Sequence, residues 1–317
     1  MFSVMIIGCG KIAGKNKNSH ARAIHANRNL DLKVCVDTNK DKADYFAKEF
    51  NCISYTDLNK ALSKEKVNII SICSPDHPHY EITKNILNSE NKPDLIFLEK
   101  PICHNLKEYY ILLKLSNTNN IPIIVNHSRR FNSDFIYIKN LIHKNYFGDL
   151  LRISATYYNG FIHNGTHIID TIIFLFKESI TFNNANNPNF CSYKKDKTFD
   201  IYGETDISGV PLDIKAIDER YYQIFEFDFW FSNARLRIED FGDSLIFECP
   251  KTNYLNESVL IKKKLSLKSK KYSEIEFAYN EICRSLIKKR PEILDNFTLQ
   301  NSEFTIKAIS QAMDLLK

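Results

Sequence analysis

The sequence predicts an α/β domain with a doubly wound parallel sheet, followed by an α+β domain whose mainly antiparallel, open-faced sheet is flanked by helices. The chain has 317 residues, which is more than one hydrophobic core usually serves. In its first third, near-continuous apolar runs alternate with helical stretches, as expected for strands buried on both faces of a parallel sheet. After about Asn126 the apolar runs follow one another directly. We therefore predict domains at residues 1–124 and 125–317.

The first domain is predicted to contain five strands with helices between them. Each strand is a short apolar run, and each helix carries apolar residues at helical spacing. The predicted strands span residues 4–7, 32–36, 69–73, 95–98 and 121–126. The predicted helices span residues 42–50, 57–62, 80–87 and 106–116, and a further helix is expected after the first strand and its glycine-rich turn.

The second domain is predicted to contain six strands, with one helix before them and two after. Residues 222–229 alternate between aromatic and polar side chains, so one face of that strand is apolar. We expect a second subunit to cover this face, in a homodimer or homotetramer. The predicted strands span residues 151–157, 199–204, 212–217, 222–231, 234–239 and 244–248. The predicted helices span residues 166–176, 273–289 and 298–316, and residues 183–189 are expected to form a loop.

Composition excludes several classes of protein. The eight cysteines are scattered singly with no Cys-x-x-Cys pair, which indicates reduced core thiols rather than disulfides or structural zinc. The net charge is +5, and the lysines at 262–264 and 270–271 are typical of a solvated face, so no nucleic acid partner is predicted. No apolar stretch is long enough for a membrane span, and the N-terminus runs directly into a strand. We expect a cytoplasmic protein.

A glycine-rich turn follows the first predicted strand, with the sequence Gly8-Cys9-Gly10-Lys11-Ile12-Ala13. In this pattern one glycine permits the tight turn, another lets backbone amides approach a pyrophosphate, and a small residue lets the next helix pack closely. The alternative is a plain glycine turn, and the preceding strand favours dinucleotide binding. The cofactor contacts predicted here come from Gly8, Cys9, Gly10, Lys11 and Ile12.

Asp37 ends the second predicted strand. A carboxylate at this place accepts hydrogen bonds from the adenosine ribose and repels a 2′-phosphate, which favours NAD over NADP. Two features keep alternatives open: Asp37 can also cap the following helix, and Lys40 nearby can accept a phosphate. NAD is therefore the predicted cofactor, with NADP as the alternative.

Two motifs end the next strands of the same sheet. Ser74-Pro75 follows residues 69–73, with His79 four residues after the proline, and Glu99-Lys100-Pro101 follows residues 95–98. Ligands of open α/β sheets bind beyond the carboxyl ends of the strands, so a lysine fixed there by a proline is placed for chemistry. The alternative for the histidine is an incidental place in a capped loop. We predict that Ser74, Pro75, His79, Glu99 and Lys100 face the cofactor.

Two further segments carry polar side chains suited to a substrate. Arg129 and Arg130 follow the fifth strand, where they can bind an anionic or hydroxyl-rich ligand or pair with surface acids. The segment His163-Asn164-Gly165-Thr166-His167-Ile168-Ile169-Asp170 places His167 and Asp170 one helical turn apart. His163, His167 and Asp170 would suit a metal only if one helix carried all three. Asn164-Gly165-Thr166 is typical of a turn and N-cap, which places His163 before the helix, so no metal is predicted.

Together these motifs resemble the glucose-fructose oxidoreductase, inositol dehydrogenase and MocA (Gfo/Idh/MocA) family. The resemblance covers the N-terminal domain almost throughout and extends into the second domain at residues 165–170. It implies a Rossmann domain, an NAD(P)-dependent oxidoreductase of sugars or cyclitols, and catalytic roles for Lys100 and His167. The family usually has an aspartate four residues before that histidine, where this chain has His163.

The resemblance gives the expected chemistry and its rivals. A histidine titrates near working pH and can move the hydroxyl proton, while a lysine cation stabilises the alkoxide. Without the usual aspartate, His163 or Asn164 must orient the substrate, and we assign Asp170, Arg129 and Arg130 to the same task. The substrate is a free sugar, an inositol or a nucleotide-linked sugar, with activated sugars favoured by the segment around His163. The rivals are a non-catalytic dinucleotide-binding sensor and a cyclic-imine or tetrapyrrole reductase.

Overall fold

The computed structural model describes residues 1–75, 78–193, 196–265 and 272–316. These form two compact units, one of residues 1–132 with 272–303 and the other of residues 133–265 with 304–316. The first unit contains a parallel sheet and the second a mostly antiparallel sheet, so the predicted fold class is confirmed. The predicted division at 124 and 125 stays a prediction; the two units divide between residues 132 and 133, and a late segment of the chain also belongs to the first unit.

The first unit is built on a six-stranded parallel sheet. The order of its strands along the sheet is 3-2-1-4-5-6, so the direction of winding reverses between the first and fourth strands. This order forms a crevice for a dinucleotide beyond the carboxyl ends of the strands. The strands are β1 (Phe2–Ile7), β2 (Leu30–Val36), β3 (Ile53–Tyr55), β4 (Ile69–Ile72), β5 (Leu95–Glu99) and β6 (Ile123–Asn126). The helices are α1 (His20–Ala26), α2 (Lys40–Phe50), α3 (Leu58–Lys64), α4 (His79–Asn88) and α5 (Leu106–Asn119).

The second unit is built on an eight-stranded sheet. The strands are β7 (Leu150–Tyr158), β8 (Ile180–Asn189), β9 (Thr198–Thr205), β10 (Pro211–Ile217), β11 (Glu226–Phe231), β12 (Ala234–Glu239), β13 (Ser244–Thr252) and β14 (Ser258–Lys263). Their order along the sheet is β14-β13-β12-β11-β7-β10-β9-β8. Among the described strands of this unit, only β10 and β7 pair in parallel. The first helices of this unit are α6 (Ser133–His143) and α7 (Thr166–Phe176).

The prediction of a loop at 183–189 is wrong. Asn184, Ala185 and Asn186 pair with Tyr202, Ile201 and Asp200 of β9. Asparagine is depleted in strands, but hydrogen bonding to a neighbouring strand outweighs this weak preference. The predicted strand at 222–231 begins only at Glu226.

Two late helices complete the two cores. They are α8 (Glu274–Lys288) and α9 (Glu303–Asp314). Ile275 and Tyr279 of α8 share one hydrophobic core with Val4 and Ile6 of β1, which is why the segment belongs to the first unit. A capping box formed by Ser273 and Glu276 begins α8.

The apolar face of β11 is covered within the second unit. Phe227, Phe229 and Phe231 are buried in a core shared with residues of α6, α7 and α9. The opposite face of the same strands is charged, with Asp228 bonded to Arg235 of β12. The homodimer or homotetramer therefore stays a prediction. The phenylalanine face of β11 does not support it, because this face is already covered within the second unit.

None of the described helices has the length and apolar composition needed to cross a bilayer. Across the described ranges, no group of three histidine, cysteine, aspartate or glutamate side chains is arranged to hold a metal ion.

Candidate functional site

The glycine turn after β1 is closely packed against the end of β4. Gly8 has a φ of +91°, and a Cβ added there would lie 2.6 Å from the backbone N and Cα of Ser74. Only glycine fits such a place. An added Cβ on Gly10, by contrast, would meet nothing within 4 Å. The turn therefore has one position dictated by the fold and one that leaves open space for a ligand.

The segment after the glycines is shorter than the helix expected there. A single π-helical turn spans Lys11–Lys15, and α1 begins only at His20. Lys11 is exposed and Ile12 is half-buried. The first amides of a helical turn have no acceptor within it, so this turn can present N–H groups to an anion.

Asp37 joins the end of β2 to the glycine turn. One carboxylate oxygen accepts from the backbone N of Cys9 at 2.9 Å, and the other accepts from the backbone N of Asn39 at 2.9 Å. The side chain of Asn39, and not that of Asp37, caps α2. Lys40 bonds to Asp44 within that helix. Asp37 thus lies beside the glycine turn. A carboxylate in this position can accept hydrogen bonds from the ribose of an adenosine.

The loops after β4 and β5 are tied together by His79. This buried imidazole has Nδ1 at 2.7 Å from the carbonyl oxygen of Pro101 and Nε2 at 2.9 Å from that of Ser74. Lys100 follows β5 directly, and its peptide bond to Pro101 is cis. His79 therefore fixes the backbone on both sides of the strand ends that carry Ser74 and Lys100.

Behind Lys100 lies a buried network that the sequence motifs do not include. Glu99 Oε1 accepts from His20 Nε2 at 2.9 Å and from Asn126 Nδ2 at 2.6 Å. His20 Nδ1 is 2.8 Å from the hydroxyl of Tyr279, which is 2.7 Å from Ser71 Oγ. These contacts join α1, β4, β5, β6 and α8 at the carboxyl edge of the sheet.

The network keeps Glu99 ionised. Burial alone would raise the pKa of Glu99, but the hydrogen bonds from His20 and Asn126, together with electrostatic attraction to His20 and Lys100, outweigh it and hold this pKa below its ordinary value of 4.5. A carboxyl group whose pKa is lowered by folding stabilises the protein above its unfolded pKa, and this contribution is lost as the pH falls through the folded value.

We expect Glu99→Gln to lower the free energy of unfolding at pH 7 by about 2–4 kcal/mol, because it breaks a buried charged network. The difference from the wild-type protein should shrink as the pH falls below 4.5 and Glu99 becomes protonated. Urea unfolding between neutral and acidic pH measures both quantities. The exposed Glu81 provides the control, since Glu81→Gln should have little effect. A difference that stayed constant with pH would contradict the role of the charge.

The two arginines after β6 lie in a 3-10 turn at Ser128–Phe131. Arg130 is buried and donates from Nη1 to the carbonyl of Asn296 at 2.8 Å and from Nη2 to that of Asn301 at 3.0 Å. These bonds give Arg130 a structural role. Substrate binding by Arg129 and Arg130 stays a prediction.

In the second unit, His163 lies in a π-helical turn at Phe161–Gly165, before α7 as predicted. Its ring stacks on Tyr193 with centroids 4.0 Å apart, and Nε2 is 2.8 Å from the tyrosine hydroxyl. The turn is anchored by Asp196, which accepts from the backbone N of Ile162 at 3.0 Å and of His163 at 2.8 Å. Burial raises the pKa of Asp196 despite these amide donors. A carboxylate distant in sequence therefore supports this turn.

The other residues of the segment differ in exposure. Asn164 donates to the carbonyls of Tyr158 and Asn159, both at 3.0 Å. Asp170 is 2% exposed and accepts from Thr305 at 2.9 Å. His167, in the first turn of α7, is half-buried and meets the ring of Phe225 edge-on at 6.3 Å. Of these side chains, Asn164 and Asp170 serve the fold internally, and their contact with substrate stays a prediction.

The first unit fits a dinucleotide. Besides the glycine turn and Asp37, two buried polar atoms at its carboxyl edge, Ser74 Oγ and Asn126 Oδ1, have no hydrogen-bond partner among the described residues. Buried polar groups are normally satisfied, so such atoms indicate a ligand or water. Lys100 belongs to this unit and His167 to the other. Their pairing stays a prediction.

Comparisons with known proteins find relatives for part of the chain. Residues 2–127 match the family model described as "Oxidoreductase family, NAD-binding Rossmann fold". Oxidoreductase P35 of Formosa agariphila is 27% identical over 46% of this chain and 44% of its own length. Glucose-6-phosphate 3-dehydrogenase of Bacillus subtilis is 26% identical over 49% of this chain and 42% of its own length. The matches thus span less than half the length of either relative.

A solved structure shares the fold over nearly the whole chain. KijD10, a 3-ketoreductase from Actinomadura kijaniata in complex with NADP and TDP-benzene, superposes with a TM-score of 0.80 at 12% identity. The superposition covers 99% of this chain and 97% of that one. At this identity the likeness establishes the fold alone.

Proposed function

We propose that this chain, a member of the Gfo/Idh/MocA family of NAD(P)-binding oxidoreductases, transfers a hydride between a nicotinamide cofactor and a hydroxyl or ketone carbon of a carbohydrate. The observation that carries the proposal is the place of Lys100, directly after β5 at the carboxyl edge of the sheet. The loop that follows is fixed by the bond between His79 and the carbonyl of Pro101. A cation held there can bind an oxygen of a substrate that lies against the nicotinamide.

Each proposed catalytic residue has one task. When bound, the nicotinamide gives or accepts the hydride. In the direction of reduction, Lys100 holds the carbonyl oxygen and stabilises the negative charge that develops on it. The imidazolium of His167 then gives its proton to that oxygen, which completes the alcohol. In the direction of oxidation, neutral His167 removes the hydroxyl proton and Lys100 stabilises the alkoxide.

We assign substrate orientation to the turn that carries His163 and Asn164. The anchoring of this turn by Asp196 supports that role, because a catalytic histidine that follows a fixed turn keeps its position. Among carbohydrates we favour nucleotide-activated sugars. KijD10, which shares the fold, was crystallised with TDP-benzene. In this chain, the preference for activated sugars is based on the segment around His163. For the cofactor, the carboxylate of Asp37 favours NAD over NADP.

The test is transfer of deuterium from the cofactor. Wild-type protein is incubated with NADH carrying deuterium at both C4 positions and with a panel of keto-sugars, both free and nucleotide-linked. We expect mass spectrometry to find one deuterium on the carbon of the new alcohol, and NADPH to be a poorer donor. Binding of NADH without transfer to any member of the panel would instead favour the non-catalytic sensor.

A further inference from the structure

The side-chain amide of Asn126, at the end of β6, has a fixed orientation. Asn126 is 4% exposed, and its Nδ2 donates to Glu99 Oε1 at 2.6 Å. An ionised carboxylate only accepts hydrogen bonds, so the NH₂ group must face Glu99 and the oxygen must face away from it. The usual ambiguity between the two ends of an asparagine amide does not apply here.

In this orientation the amide oxygen of Asn126 is a hydrogen-bond acceptor without a donor among the described residues. Asn126 Oδ1 is buried and has no hydrogen-bond donor in the part of the chain that the structure describes. The network that Asn126 joins through Glu99 is bonded internally, since His20, Tyr279, Ser71 and Glu99 contact one another. A buried acceptor without a donor destabilises the folded protein, so its presence in an otherwise satisfied network points to a ligand.

The place of Asn126 in the sheet indicates which part of the ligand it meets. A sheet with the order 3-2-1-4-5-6 consists of two mononucleotide-binding halves. The half formed by β1, β2 and β3 carries the glycine turn and Asp37, which suit the pyrophosphate and the adenosine ribose. The half formed by β4, β5 and β6 therefore receives the nicotinamide nucleotide, and Asn126 ends the last of its strands.

We propose that Asn126 Oδ1 accepts a hydrogen bond from the carboxamide N–H of the nicotinamide. This bond would fix the rotation of the ring and thus the face that the ring presents to the substrate. Glu99 and His20 act as positioning residues, because they hold the amide of Asn126 in one orientation. The inference rests on the cofactor of the proposed function and adds a contact that the sequence motifs did not indicate.

The test compares NADH with its 3-acetylpyridine analogue, in which a methyl ketone replaces the carboxamide and no N–H donor is present. Dissociation constants are measured by isothermal titration calorimetry without substrate. We expect wild-type protein to bind NADH roughly tenfold more tightly than the analogue, as for the loss of one buried hydrogen bond. Asn126→Ala should bind the two cofactors with similar affinity. The wild-type comparison needs no substitution, so it holds even if the variant folds poorly.

Asn132 provides a matched control. It is also buried and also donates from Nδ2 to a carboxylate, Glu274, at 2.7 Å. Asn132→Ala should keep the wild-type preference for NADH. Equal binding of NADH and the analogue by wild-type protein would overturn the inference, as would an unchanged preference in Asn126→Ala.

The outcomes separate this inference from the proposed function. If wild-type protein bound neither NADH nor NADPH, both would fall. If NADH bound with the expected preference and no carbohydrate were reduced, the contact with Asn126 would stand and the proposed reaction would be rejected.

Discussion

Lys100→Ala is expected to lower kcat for carbohydrate reduction by about 10²–10³-fold, the usual effect of removing one group that stabilises a developing oxyanion. NADH should still bind, because the glycine turn and Asp37 are unchanged. Steady-state kinetics with the substrate found by deuterium transfer gives kcat, and calorimetry with NADH shows whether the cofactor site is intact. Turnover by Lys100→Ala at the wild-type rate would exclude the proposed role of the lysine.

Lys107 is the matched control for this experiment. It is exposed in the first turn of α5, seven residues along the chain from Lys100. Lys107→Ala removes the same charge from the same unit without touching the strand end. The kcat of Lys107→Ala should equal that of wild-type protein. A loss of kcat in both Lys100→Ala and Lys107→Ala would instead indicate an effect of net charge.

Gly8→Ala is expected to destabilise the first unit by about 2–4 kcal/mol, through a positive φ and a steric clash together. The added Cβ would lie 2.6 Å from backbone atoms of Ser74. Backbone atoms of a buried strand end cannot yield as a flexible side chain can. Urea unfolding followed by circular dichroism measures the loss, and calorimetry should show that NADH no longer binds measurably.

Gly10→Ala separates folding from binding at the same turn. A Cβ at Gly10 would meet nothing within 4 Å, and the φ of Gly10 is −84°, so stability should be almost unchanged. NADH affinity should fall, because the methyl group enters the space through which a pyrophosphate approaches the backbone. Equal NADH affinity in Gly10→Ala and wild-type protein would show that the pyrophosphate lies elsewhere.

The sequence was sufficient where local pattern decides the structure. The continuous apolar runs that predict β1, β2, β4, β5 and β6 form strands at those places, because strands buried on both faces need such runs. It was insufficient for β8, since Asn184 and Asn186 have weak strand preference and are held by pairing with β9. The short β3 has only three residues, too few for a recognisable pattern.

Some residues of the candidate site could likewise be predicted from the sequence, and others could not. Gly8, Asp37, Ser74 and Lys100 could be found because each directly follows an apolar strand. The network around Glu99 could not, since His20 and Tyr279 are 259 residues apart and meet only after folding. Asp196 is likewise 33 residues from His163, whose backbone it holds. No spacing rule connects such pairs.

The return of α8 to the first unit has a consequence for synthesis of the chain. The core that contains Val4 and Ile6 also needs Ile275 and Tyr279, which are synthesised only after all the strands of the second unit. A nascent chain that carries all six strands of the parallel sheet therefore still exposes part of its apolar core. Such surfaces invite aggregation and attract chaperones. The first unit, although first in sequence, cannot complete its core before the second unit has been almost entirely synthesised.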